Sequence, residues 1–147
     1  MLATFYPYIL TLHLFCAIFF VGFLFSDVVI ISAVLRRLKP EMANEVRKIL
    51  GSLETKIMPP CFLLLILSGG ILLSNYVGGD HGWWQSTFQK LLLLKVGVAG
   101  CIFLLVTFSL SMFFVFKKPN PLGKYTHPLV FTLACIIVVL AKFMYVF

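Results

Sequence analysis

Residues 5–35 read FYPYILTLHLFCAIFFVGFLFSDVVIISAVL. A membrane-spanning helix needs about 20 apolar residues in a row. This stretch exceeds that length, and His13 and Asp27 are its only residues of the His, Asp, Glu, Lys or Arg type. The apolar run is continuous rather than alternating, which is the pattern of a helix and not of a strand in a closed barrel. Three further runs of the same kind follow, at residues 57–76, 86–116 and 128–146. The expected fold is therefore an all-α, integral membrane four-helix up-down bundle, a single transmembrane domain over residues 1–147.

Composition supports the same reading. The 147 residues are 61% hydrophobic and 12% charged. A soluble domain is nearer half apolar and a quarter charged, so this chain has too little polar surface to cover itself in water. The net charge of +7 would point to nucleic acid in a soluble protein. Here the basic residues gather between the apolar runs, which is the signature of cytoplasmic anchoring, and no nucleic-acid partner is expected.

The linker at residues 36–56 carries Arg36, Arg37, Lys39, Arg47, Lys48 and Lys56. Helical spacing of Met42, Val46, Ile49 and Leu53 predicts a short interfacial helix there. The third linker, KKPNPLGKYT, holds Lys117, Lys118 and Lys124, whereas the second, NYVGGDHGWW, holds Asp80 and neither Lys nor Arg. Positive loops stay in the cytoplasm. Linkers one and three are then inside, linker two and both ends outside, and Trp83 and Trp84 join the outer aromatic belt. The first residues lack the basic region and small-residue cleavage site of a secretory leader, so helix one is expected to serve as its own insertion signal. The four cysteines fall one in each apolar run, which argues against a disulfide framework.

Ionisable side chains at the bilayer centre cost at least ~2.5 kcal/mol on insertion scales and are functional candidates by default. The spans contain His13, Asp27, Lys95 and Lys142; His127 is at an interface and His81 in the outer linker. With helices one and three both starting outside, His13 and Lys95 have similar depths, with Gly69 and Gly70 of helix two and Lys142 nearby. Asp27, 14 residues on from His13, falls on nearly the same stripe, ~21 Å further in. Asp27, His127 and Lys56 are expected to form a second polar group on the inner side, a candidate proton path. Ala17, Phe20 and Leu24 lie on the face between His13 and Asp27, and Ala17 leaves space beside the imidazole.

A histidine inside a helix bundle is a common haem ligand. Lys90, Lys95 and Lys142 are cations on the side where haem propionates would emerge. A second axial ligand would be Lys95, His81 folded inward, or none. Without a CxxCH motif, haem b would be held non-covalently. Copper is the other chemistry, through His13 and Cys16 one turn apart, because soft and imidazole ligands suit it. Structural roles compete with each reading: His13 as an interhelical hydrogen-bond partner, the lysines as snorkelling side chains, Asp27 as half of an ion pair, and Cys16 as an apolar filler. No P-loop, dinucleotide fingerprint, HExxH or CxxC motif is present, and the spacing does not suggest Ser-His-Asp catalysis.

LHLFCAIFFVGFLF (residues 12–25), KIMPPCFLLLILSGGILL (56–73) and QKLLLLKVGVAG (89–100) resemble, in order, the first three helices of the HemJ-type protoporphyrinogen oxidases and of the related CopD-type copper-resistance membrane proteins. The family histidine maps to His13 and the family lysine to Lys95. The HemJ branch implies b-type haem, oxidation of protoporphyrinogen, and electrons passed to quinone or another respiratory-chain partner; Lys95, and Asp27 as an ionisable residue within a span, are the catalytic candidates. The CopD branch implies copper transport around His13, Cys16 and Lys95. The chain has FSDVVI, with Asp27, where the HemJ type has an arginine. Both branches imply a bacterial inner membrane. A third reading is a non-catalytic anchor subunit, and a homo-oligomer is compatible with so small a bundle.

Overall fold

The computed structural model describes residues 2–116 and 123–146, without the side chains of Leu2, His81, Gly123 and Lys124. Lys117 and Lys118 of the third linker lie outside the described residues, as do the Lys124 and His81 side chains. The described chain is all-α: α1 (Leu2–Phe25), a π-helical turn (Ser26–Ile31), α2 (Ser32–Arg37), α3 (Pro40–Ser74), a 3-10 turn (Gly79–His81), α4 (Thr87–Phe114) and α5 (Gly123–Phe143). Four helical segments are long and apolar enough to cross a membrane: Ala3–Arg37, Pro40–Ser74, Thr87–Phe114 and Tyr125–Phe143. The chain is a multi-pass membrane protein by this criterion of length and composition. It divides into two compact units, Met1–Asn75 and Tyr76–Phe147.

In the first unit, α1 packs against α3 as an antiparallel hairpin. Cys16, Phe20 and Leu24 are buried on one stripe of α1, and Phe62 and Ser68 on α3. The ring of Phe20 stacks on that of Phe62 with centroids 5.3 Å apart. The opposite face of α1 is different: Ile18 is 64% and Phe19 65% exposed. Side chains of that size are left uncovered only where the surroundings are themselves apolar, so this face meets lipid.

The linker at residues 36–56 differs from its expected form. It is not a separate interfacial helix, because α3 runs unbroken for 35 residues from Pro40 to Ser74, ~52 Å at 1.5 Å per residue. The cause is local. Pro40 occupies the first helical turn, where its missing amide is harmless, and Glu41 follows at the positive end of the dipole. From there to Lys56 the residues are mostly good helix formers, with Gly51 the sole glycine. Pro59 and Pro60 lie within the helix without ending it.

The second anomaly is at Asp27. Over Ser26–Ile31 the helix widens to a π turn. The Ser32 amide donates to the Asp27 carbonyl five residues back, and the Ser32 hydroxyl donates to the same oxygen at 2.9 Å. π turns inside longer helices recur at functional positions, and this one sits at a predicted site residue.

In the second unit, α4 packs against α5. Val130 and Ala134 of α5 and Leu92 and Ile102 of α4 are buried. Ser86 and Gln89 form a reciprocal capping box at the start of α4. α5 starts at Gly123, five residues before its expected start at Pro128, which lies within it. The linker before α4 turns on Gly78, Gly79 and Gly82, with φ of 101°, 58° and 70°. Only glycine takes these values without strain. Buried Gln89 holds this linker. Its side-chain oxygen accepts from the amides of Gln85 (2.9 Å) and Ser86 (3.2 Å). Its nitrogen donates to the carbonyls of Tyr76 (3.2 Å) and Gly82 (3.4 Å).

Candidate functional site

His13 stands on the α1 stripe that faces α3. Its Nδ1 lies 2.9 Å from the Ser68 hydroxyl oxygen. That hydroxyl has one proton, and the oxygen is 2.7 Å from the Leu64 carbonyl and 3.1 Å from the Leu65 carbonyl. With that proton directed at the backbone of α3, the serine oxygen is placed to accept from the imidazole, and the neutral tautomer that fits this arrangement has its hydrogen on Nδ1 and its lone pair on Nε2. Gly69 makes the approach possible: a Cβ there would come within 3.1 Å of His13 Cε1 and 3.7 Å of Nδ1.

About one turn along the same seam, Cys16 of α1 meets Cys61 of α3. The Cys61 thiol donates to the Cys16 carbonyl at 3.5 Å. Neither is in a disulfide; Cys16 is buried and Cys61 half-buried. The Phe20–Phe62 stack closes the seam beyond them. Three layers thus follow one another down the hairpin: an oriented imidazole, a thiol pair and an aromatic pair.

The other expected residues are placed as follows. Asp27 is half-buried at the π turn, and Lys56 is exposed on α3. On the second hairpin, Lys90 is exposed in the first turn of α4 and Lys95 is half-buried, about one turn later. Lys142 is exposed in the last turn of α5, and His127 is half-buried near its start. Ser68 and Cys61 are the residues that the sequence reading did not single out. Ser68 had a signal, since it precedes the glycine pair at the depth of His13. Cys61 had none, because its pairing with Cys16 depends on how the two helices face each other.

Among the described residues, no three His, Cys, Asp or Glu side chains gather to hold a metal ion. The seam can therefore supply one oriented imidazole or two thiols, but not a four-donor cage. No protein-family model, curated protein or solved structure matches the chain.

Proposed function

We propose that this chain is a b-type haem-binding redox protein of a bacterial inner membrane, with His13 as an axial ligand. The supporting observation is the fixed ring of His13. A ligating histidine almost always donates its other ring N–H to a partner that sets tautomer and orientation. The Ser68 hydroxyl, itself anchored to the α3 backbone, is placed to do this for Nδ1, which would leave the lone pair on Nε2. The residues present fit one axial position. Phenylalanines and aliphatic side chains along the first hairpin suit a macrocycle. Haem, when bound, would supply one-electron chemistry. The protein's part is to orient the ligand and exclude water from it. Oxidation of a protoporphyrinogen-like donor, with quinone or a respiratory partner as acceptor, is the activity this reading favours.

Copper handling of the CopD kind is the second reading, and the contact between Cys16 and Cys61 is what favours it. A pyridine haemochrome assay on protein purified from haem-replete cells tests the first. Haem near one per chain, lost in His13→Ala, is expected. Haem-free wild-type protein would refute it.

A further inference from the structure

The tip of the first hairpin carries charge and apolar surface that the haem chemistry does not use. Arg36 and Arg37 end α2, and Lys39 precedes α3; each is exposed. The Arg36 Nε–H donates to the Ser32 carbonyl at 3.2 Å, which steadies the side chain and leaves its terminal N–H groups for other acceptors. From Pro40 to Lys56, the cations Arg47, Lys48 and Lys56 are balanced by Glu41, Glu45 and Glu54. The uncompensated charge of this linker is therefore the triplet at the tip. On the same stretch of α3, Met42, Ile49 and Leu53 are each more than half exposed. At 100° per residue they fall within ~40° of one another, so they form one apolar stripe beside a basic end.

We infer that the end of this hairpin lies over onto the headgroup layer and binds anionic phospholipid, its stripe toward the acyl chains and Arg36, Arg37 and Lys39 on the phosphates. Length makes an upright tip unfavourable. The uncharged part of α3, residues 57–74, rises ~27 Å and fills the ~30 Å hydrocarbon core. Residues 40–56 would rise ~25 Å more, past a headgroup layer ~5–8 Å deep, and would hold Met42 and Ile49 in water. Both helices can bend before the tip, because prolines and π turns are the usual causes of helix kinks. Pro59 and Pro60 stand near the start of the uncharged stretch. With no amide to offer, they leave the Thr55 and Lys56 carbonyls without their usual helical donors. The Thr55 hydroxyl turns back to the Gly51 and Ser52 carbonyls at 2.9 and 3.1 Å, a bond that favours bending. On the other helix, the π turn at Ser26–Ile31 precedes the tip. An amphipathic helix laid over in this way buries its apolar face ~5–10 Å into the headgroup boundary, which covers the stripe. Clustered Lys and Arg beside a spanning helix attract anionic lipid, and the arginine fork matches phosphate. Neither haem nor copper is needed for this contact.

For the test, the full chain is reconstituted in phosphatidylcholine vesicles with a trace of nitroxide-labelled phosphatidylglycerol or of nitroxide-labelled phosphatidylcholine. Electron paramagnetic resonance gives the fraction of each label immobilised at the protein. Wild type should hold the phosphatidylglycerol label about two- to fivefold more strongly, the scale of one basic side chain at an anionic surface. That preference should fall towards parity at high salt and in Arg36→Gln/Arg37→Gln/Lys39→Gln, with helicity by circular dichroism unchanged. Glu41→Gln/Glu45→Gln should raise it, and an unchanged ratio there counts equally against the site. A second measurement places the stripe. Ile49→Trp is compared with wild type, whose Trp83 and Trp84 give the background, for quenching by brominated lipid and by aqueous iodide. The added indole should be quenched by the lipid. No preference in wild type, or one that the folded triple variant retains, overturns the lipid site. An added indole quenched by iodide alone, or by neither agent because a partner protein covers it, overturns the placement of the stripe in the headgroup layer.

Discussion

Replacing Gln89 with leucine should open the linker between α3 and α4 while leaving the helices themselves in place. Gln89 is 6% exposed, and its one amide serves two backbone N–H groups and two carbonyls across residues 76–86. Leucine fills a similar volume and satisfies none of them. A net loss of about 0.5–1.5 kcal/mol per hydrogen bond gives about 2–6 kcal/mol for four. Gln85 and Ser86 are exposed, so water recovers part of this, and about 2–3 kcal/mol remains as the cost, close to the low end. At 1.4 kcal/mol per tenfold, the opening equilibrium shifts by about 30- to 150-fold. The assay is amide hydrogen exchange of the protein in nanodiscs, read at Gln85 and Ser86. Gln89→Glu refines it, because a carboxylate still accepts from both amides but donates nothing to Tyr76 and Gly82. It should protect Gln85 and Ser86 while leaving the Gly78–Gly82 turn open. Unchanged protection at Gln85 and Ser86 in Gln89→Leu would refute the assignment of Gln89 as the tie that holds this linker.

Other consequences follow from the first hairpin. Ser68→Ala removes the partner that orients His13, and haem affinity should fall about 10- to 100-fold, the usual scale for outer-shell changes at a metal ligand, as read by haem transfer to apomyoglobin. Gly69→Ala places a methyl 3.1 Å from His13 Cε1; the ring must move by a few tenths of an ångström, and the electron paramagnetic resonance spectrum of the oxidised protein should shift without loss of helicity. Ser32→Ala removes one of two donors to the Asp27 carbonyl, and should cost about 0.5–1.5 kcal/mol in thermal denaturation while the π turn persists on the remaining amide.

The number and class of the helices were legible because lipid leaves the backbone no alternative: each long apolar run must satisfy its own amides. The start of α4 was equally legible, since the apolar run opening at Ser86 begins where the helix is capped. The continuity of α3 was not, since the basic residues from Arg36 to Lys56 mark a change of solvent, and a helix can cross such a boundary without any change in its hydrogen bonding. The π turn also escaped the sequence, because widening by one residue leaves no compositional mark beyond Ser32, whose hydroxyl reveals its role only once Asp27 is placed. At the site, His13 stood out as a histidine in a lipid-facing span, and Cys16 as its neighbour one turn on. Their partners, Ser68 and Cys61, lie 55 and 45 residues away along the chain. Those pairings depend on the register of α1 against α3, which hydrophobicity alone does not specify: in lipid, helix association rests on packing and on small and polar residues such as Ser68 and Gly69.

The most direct test of the account is the absorption spectrum of the detergent-purified protein, oxidised and dithionite-reduced, recorded beside His13→Ala. The account predicts a Soret band and sharpened reduced α and β bands in the wild type, with both lost in the folded variant. A featureless spectrum after expression with ample haem, or a haem spectrum that His13→Ala leaves unchanged, would contradict it.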